Sequence, residues 1–508
     1  MKKIKDKYDV VIIGSGMGGL SCGMMLAMEG KSVCILEKNA QIGGTLQTFK
    51  RDGGKFDTGV HYVGGLDEGQ PLYPYFKYMD IYKDIDVMKL DENAYDIITF
   101  GGDDNQYPHA QGYENFKNQL LKFFPDEEAN LDRYIHDIKA LCKKFALYNV
   151  YDLPEKVNEL EYMYDGATQR INQYTSNPKL QQVLAGSNLL YAGEENKTPF
   201  YVHALIINSY MMSAYKFQHG GSQISRSLNY SIKDLGGTIV RNAEVTSINH
   251  NDTSVESVTL QDGRQIKGDI FISNVHPTET IKLMDQSLMR KSYTSRISGL
   301  ENTVSVFTLY LVMKPKTVKY INSNFYNFRE DKVWGLTDYK LEDWGKDFAV
   351  FFLPDNKNPE YTSVITVMAY MKMEEMTPWI NTFNTTTQVS DRDESYQNFK
   401  EIKAQFLLEK MEGFMPGIKR HIKSYSTSTP LTQRDYLNTT EGSLYGISRD
   451  HNFPLKSQIN TKTKMKNMFF TGQNIILHGV LGATISAVVT CTEILGREYL
   501  LNKIKAKL

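Results

Sequence analysis

Tyr8–Glu37 reads YDVVIIGSGMGGLSCGMMLAMEGKSVCILE, and the order of residue types in it decides the fold. Tyr8 to Ile13 is largely β-branched and apolar, as a strand buried on both faces of a parallel sheet must be. It breaks at Gly14, Gly16 and Gly19, in G-x-G-x-x-G spacing, and a helical stretch follows. Gly14 permits the tight turn, Gly16 leaves no side chain between backbone and a pyrophosphate, and Gly19 lets the helix pack closely on the strand. The helix then aims its free N–H groups and dipole at an anion. Ser32 to Leu36 reads as a second strand ending at Glu37, whose carboxylate suits two ribose hydroxyls and repels a 2′-phosphate. FAD or NAD is therefore expected here and NADP is not.

A second glycine-rich stretch chooses between the two. Ile42-Gly43-Gly44-Thr45 follows Lys38 and Asn39, and Gly53 to Gly65 then includes FDTGVHYVGG at Phe56–Gly65. A simple NAD dehydrogenase has no need of it. Together with the first unit it resembles the FAD site of the flavoprotein superfamily that includes amine oxidases and phytoene desaturases. FDTGVHYVGG is most similar to the branch containing retinol saturase and plant-type carotenoid isomerase. The C-terminal end carries the same resemblance: Met468 to Gln473 reads as a strand and turn, and Asn474 to His478 leads into a helix from Gly479. Gln473 departs from the superfamily pattern, which has an acid there, but an amide still bonds a ribityl hydroxyl. A third match lies at His219-Gly220-Gly221-Ser222, with a helix to Leu235 and a strand from Val245 to Ile248. The family's adenine rests near that strand. Ile270 to Asn274 adds another short strand, and His219 is read as ordering a turn.

The resemblance implies an α/β fold: a Rossmann-type FAD-binding domain with an inserted α+β substrate-binding domain. The FAD part takes residues 1–100, 216–291 and 441–508; a helical insert takes 101–215, and a substrate-side sheet with helices takes 292–440. It implies FAD contacts at Gly14, Ser15, Gly16, Met17, Gly18, Gly19, Glu37, Lys38, Gly43, Gly44, Thr45 and Val245. Further contacts are implied at Gly472, Gln473, Gly482, Ala483, Thr484 and Ile485.

Composition sets limits. The chain has 508 residues, enough for two or three domains, and a formal net charge of −1, which offers no basic surface for nucleic acid. Cys22, Cys34, Cys142 and Cys491 are scattered, with no C-x-x-C pair or His cluster at metal-ligand spacing. A reducing compartment is expected, with no metal. The start, MKKIKDKYDV, leaves no room for a secretory apolar region, so the cytoplasm is expected. Gly479 to Leu495 is too short and too interrupted by hydroxyls for a membrane span and reads as a buried helix. Arg497 to Leu508 reads as an amphipathic tail, either a solvated terminal helix or a transient contact with a membrane surface. Asn381 to Glu394 reads as an exposed loop.

Two blocks are expected to form the substrate side. Gly101–Tyr215 is helical in pattern; Thr303–Met313, Phe348–Leu353 and Val364–Met371 are strand-like. Their Phe, Tyr and Met content suits a cavity for an apolar polyene or other lipid. If a flavin hydride saturates a C=C bond, a proton must also be supplied. His478 is the first candidate donor, His61 the second, with Tyr62 and Tyr445 behind them. No second strand–GxGxxG–helix unit is present, so reduction needs an external electron donor, a visiting nicotinamide or the substrate itself. Saturase, desaturase and isomerase outcomes share one site. An amine or porphyrinogen oxidase and a non-catalytic FAD-containing lipid-binding protein are the alternatives of other classes.

Overall fold

A computed structural model describes residues 4–145, 147–151, 160–340, 344–385, 389 and 392–508. Two seven-stranded sheets organise the chain. In the first, the strands Thr238–Val240, Val33–Leu36, Lys7–Ile13 and Gln265–Ser273 lie side by side in parallel. Met468–Phe470 joins the C-terminal half of Gln265–Ser273, also in parallel, and an antiparallel pair, Val255–Leu260 and Val245–His250, continues from its N-terminal half. Lys7–Ile13 is central because both its faces are apolar. Val10 and Ile12 enter one core cluster, and Val11 and Ile13 enter another on the opposite face. The first sheet is the parallel, Rossmann-type arrangement that the sequence leads one to expect, and a second, mixed sheet accompanies it.

The second sheet runs Ile422–Ser428, Ser305–Met313, Thr362–Met371, Phe348–Pro354, Asn324–Phe328, Asp96–Phe100 and Tyr107–His109. Ser305–Met313, Phe348–Pro354 and Thr362–Met371 match the strand-like runs in the sequence. Asp96–Phe100 differs from expectation, because a boundary at residue 100 leaves it with the nucleotide sheet, whereas it pairs in parallel with Asn324–Phe328, Asp96 opposite Asn324. A short apolar strand carries no mark of which sheet it joins. Helices of the insert cover this region, among them Glu128–Lys144 and Phe200–Met212, the second buried almost all round.

The terminal helix Gly479–Leu495 packs on Met17–Met28, with Cys22 Sγ 3.7 Å from the Ala487 carbonyl. Among the described residues no helix is long and apolar enough to cross a membrane. The amphipathic tail forms the helix Arg497–Lys505, and its apolar residues Leu500, Leu501 and Ile504 are buried against the protein itself. The face that a membrane would have met is therefore spent internally. The loop expected over 381–394 lies partly outside the described residues, at 386–388, 390 and 391. Its described end is not free, since Arg392 and Asp435 form an ion pair buried on both sides.

Candidate active site

The first glycine turn builds a cradle from backbone. Gly14 has φ +91°, a conformation that favours glycine. A Cβ on Gly16 would stand 2.6 Å from Asn274 Nδ2, and one on Gly18 would stand 2.7 Å from Gly472 Cα. The N-terminal and C-terminal glycine segments therefore close on each other with no room for a side chain. The helix from Met17 has no side-chain cap and no acid in its first turn, so its leading N–H groups remain unspent. The helix from Gly479 begins the same way, on a His478 that makes no cap bond. Both point into one groove, which Gly44, Thr45, Gly472 and Ala483 also line. The side-chain amides of Asn274 and Gln473 face this groove, and no described residue bonds either of them.

Ser15 and Gly43 lock the second glycine stretch against the first: Gly43 N–H donates to the Ser15 carbonyl at 3.0 Å, and Gly16 and Gly43 form a parallel bridge. Glu37 is buried at the end of its strand. It accepts from Ser15 N–H at 3.1 Å and Ser15 Oγ at 2.5 Å, and from Asn39 N–H at 2.8 Å. These donors hold both oxygens in place while leaving lone pairs for ribose hydroxyls. Val245 opens the strand Val245–His250 two residues after Ala243, whose N–H donates to the Glu37 carbonyl at 2.8 Å. Three expected contacts point elsewhere. Lys38 Nζ donates to the Asp435 carbonyl at 2.7 Å. Thr484 gives its hydroxyl to the Val480 carbonyl at 2.7 Å, and Ile485 faces a different cleft. A helix turns about 100° per residue, so four consecutive residues cannot all face one ligand. Gly482 lines the cavity beyond the groove.

That cavity holds about 1170 Å³ of atom-free space, its mouth included. It meets the groove at Thr45, Val60, Gln473 and Gly479. Its walls are Leu, Ile, Val, Met, Phe and Tyr from the second sheet, from the helix Phe200–Met212 and from the connecting segments, and among the described residues no carboxylate lines it. His61 and His478 both line it. His61 stacks on Phe351, with ring centres 4.4 Å apart. His478 Nε2–H donates to the Leu190 carbonyl at 2.9 Å, and its ring lies 4.4 Å from Tyr445. Burial lowers both imidazoles to about 4, so both are neutral at neutral pH, and His478 has committed its only N–H.

Tyr62 is placed differently. Its hydroxyl lies 2.7 Å from Asp96 Oδ2 and 2.7 Å from the Tyr326 hydroxyl, and both phenols line the cavity. Asn324 Nδ2 donates to Asp96 Oδ1 at 2.9 Å. Burial pushes Asp96 up to about 7, against the pull of Asn324, Tyr62 and the buried Lys216. Lys216, whose Nζ donates to the Phe352 carbonyl at 3.0 Å, is lowered by burial to about 7. Asp96, Tyr326 and Lys216 escaped the reading of the sequence. The one signal was a charge inside an apolar strand, in AYDIITF and in AYKF.

Residues 17–495 match the model of the flavin containing amine oxidoreductases. The chain belongs to that family. It is similar to the all-trans-retinol 13,14-reductase of Danio rerio, 27% identical over 544 residues, which cover 97% of this chain and 87% of that one. It is also similar to the 4,4'-diapolycopene oxygenase of Methylomonas sp, at 23% identity over 92% of this chain and 94% of that protein. Among solved structures, an oxidoreductase from Methanosarcina mazei superposes with a TM-score of 0.64 at 14% identity, covering 96% of this chain and 99% of the other. That likeness bears on fold alone. The chain is an FAD-dependent enzyme, and its groove is of a kind that could take that cofactor: two uncapped helix N-termini suited to an anion and two amides that no described residue bonds, with the carboxylate of Glu37 buried at the end of its strand.

Proposed function

We propose that this flavoenzyme reduces a C=C bond of an apolar polyene or isoprenoid lipid held in the cavity beside Tyr62 and Tyr326. The observation that carries the reading is a large cavity walled by apolar and aromatic side chains that opens onto the cofactor groove and holds a hydrogen-bonded acid chain in one wall. The named activities of the Danio rerio reductase and the Methylomonas oxygenase support a polyene. Among the described residues no carboxylate reaches the cavity surface itself, Asp96 standing behind Tyr62, so an ammonium ion would find no direct partner there, which counts against an amine substrate.

Bound FAD supplies hydride chemistry at its N5. The chain's own residues supply the proton. Tyr62 Oη has both its neighbours in place, Asp96 on one side and Tyr326 on the other, whereas Tyr326 Oη touches only Tyr62. With Asp96 protonated, its O–H donates to Tyr62, Tyr62 donates to Tyr326, and the Tyr326 hydrogen is left pointing into the cavity. Once Tyr326 gives that proton to carbon, each O–H shifts one place and Asp96 becomes the carboxylate. With Asp96 ionised the chain runs backwards, and no hydrogen faces the substrate. His61 and His478 then serve as neutral wall, shaping the cavity and excluding water.

The test is product mass after anaerobic incubation of chemically reduced, FAD-loaded enzyme with retinol, carotenes and unsaturated fatty acids. A gain of two hydrogens in one component, with flavin reoxidation, is the expected result. Unchanged mass with a shifted retention time would replace the reading with isomerisation, and no change in any component would overturn it.

A further inference from the structure

Behind the reaction cavity lies a second apolar cleft of about 1140 Å³, its mouth included. Leu205, Leu477 and Leu481 belong to the walls of both spaces, so the two adjoin across these three side chains. The rest of the second wall is mostly aromatic and aliphatic, with Tyr148, Tyr201 and Ile485 typical of it.

Arg449 breaks that pattern. Its guanidinium lines the cleft and also a small polar space that His478 and Gln473 border. It donates to three backbone carbonyls, those of Ser457, of Asn474 at 2.9 Å and of Ile475 at 3.0 Å. All three acceptors are neutral. No described carboxylate lies within ion-pair distance of Arg449; its neighbour Asp450, which also lines the cleft, turns Oδ1 to the N–H and the side-chain amide of Asn452, both at 2.8 Å. A guanidinium cannot lose its proton at physiological pH, and an unpaired charge held against apolar walls is costly. Arg497 lines the same cleft, exposed and without an ion pair among the described residues. Among the described residues the cleft thus presents two guanidinium groups that no carboxylate pairs with, on a wall that is mostly apolar apart from Asp450, Ser457 and Gln458.

A small inorganic ion gains nothing from the apolar walls, and a hydrocarbon gains nothing from the guanidinium. A single molecule with an apolar chain and an anionic end satisfies both. We propose that Arg449 holds the anionic head group, a carboxylate or a phosphate monoester, of the lipid whose chain crosses Leu205, Leu477 and Leu481 into the reaction cavity. The inference rests on the reductase reading for what happens at the far end of that chain, and it narrows the substrate from a neutral polyene to an amphipathic acid.

The experiment is a fluorescence titration of the full-length, FAD-loaded enzyme with four ligands sharing one chain: retinoic acid, methyl retinoate, retinol and retinyl phosphate. Charge-assisted hydrogen bonding predicts that an anion binds about tenfold or more tighter than the ester. Whichever of acid and phosphate binds tighter names the head group. In Arg449→Gln the preference falls to about twofold, while Arg449→Lys keeps part of it. Inorganic phosphate alone, at millimolar concentration, does not displace retinol. Equal affinity for acid, ester and alcohol in the unaltered enzyme overturns the proposal even if Arg449→Gln fails to fold. A head-group preference with no gain of two hydrogens in any ligand keeps this site and removes the reductase reading; the reverse pattern removes this site alone.

Discussion

The cofactor groove and the reaction cavity meet at Thr45, Val60, Gln473 and Gly479, yet they are made of different material. The groove is backbone: glycines at 14, 16, 18 and 472, two bare helix N-termini and one buried acid. The cavity is side chain, gathered from residues as far apart as His61, Tyr210, Tyr326, Phe351 and Tyr445. A backbone site tolerates almost no addition, because neighbouring main chain cannot move aside. A side-chain wall tolerates reshaping but depends on a few polar atoms whose neighbours come from remote segments.

The contrast can be broken most forcefully in the groove. Gly18→Val puts a Cβ within 2.7 Å of the Gly472 backbone, so FAD retention, read as flavin absorbance per protein, falls to roughly a tenth or less. Circular dichroism checks that the fold survives. In the cavity, Asp96→Asn and Tyr326→Phe leave FAD content unchanged but interrupt proton transfer, lowering single-turnover reduction of the polyene by about 100-fold. The sign of the pH effect follows from Asp96. Burial raises it to about 7, and its protonated form starts the chain, so turnover is full below that pH and is lost as pH rises through about 7. Asp96→Asn abolishes that limb, and a pH profile that keeps it would assign the acid elsewhere.

Smaller effects sharpen the same comparison. Glu37→Ala removes the ribose acceptor and the anchor of Ser15 and weakens FAD about 10- to 30-fold, measurable by equilibrium dialysis. His478→Gln replaces one neutral donor to the Leu190 carbonyl with another, so turnover stays within about fivefold. A loss of 100-fold there would return His478 to the role of acid.

Legibility followed the same division. The strand at Tyr8–Ile13, the glycine turns and the acid at Glu37 could be read because each is local: a backbone conformation or a period that neighbouring residues impose. So could the strands at Ser305–Met313, Phe348–Pro354 and Thr362–Met371, from their apolar runs. His61 and His478, read as candidate proton donors, both line the cavity, but nothing local revealed that one stacks on Phe351 and the other spends its N–H on Leu190. Helical phase likewise turned Thr484 and Ile485 away from the groove.

The sequence by itself determined the nucleotide-binding fold, FAD as the cofactor and the membership of a flavoprotein family, because glycine spacing and hydrophobic period act over a few residues. Only the tertiary structure decided that Asp96, 34 residues from Tyr62 and 228 from Asn324, sits protonatable behind two phenols. It alone also left Arg449, among the described residues, without an ion-pair partner in a mostly apolar cleft. Burial and the identity of a hydrogen-bond partner are properties of what the folded chain brings near, and no local pattern encodes them.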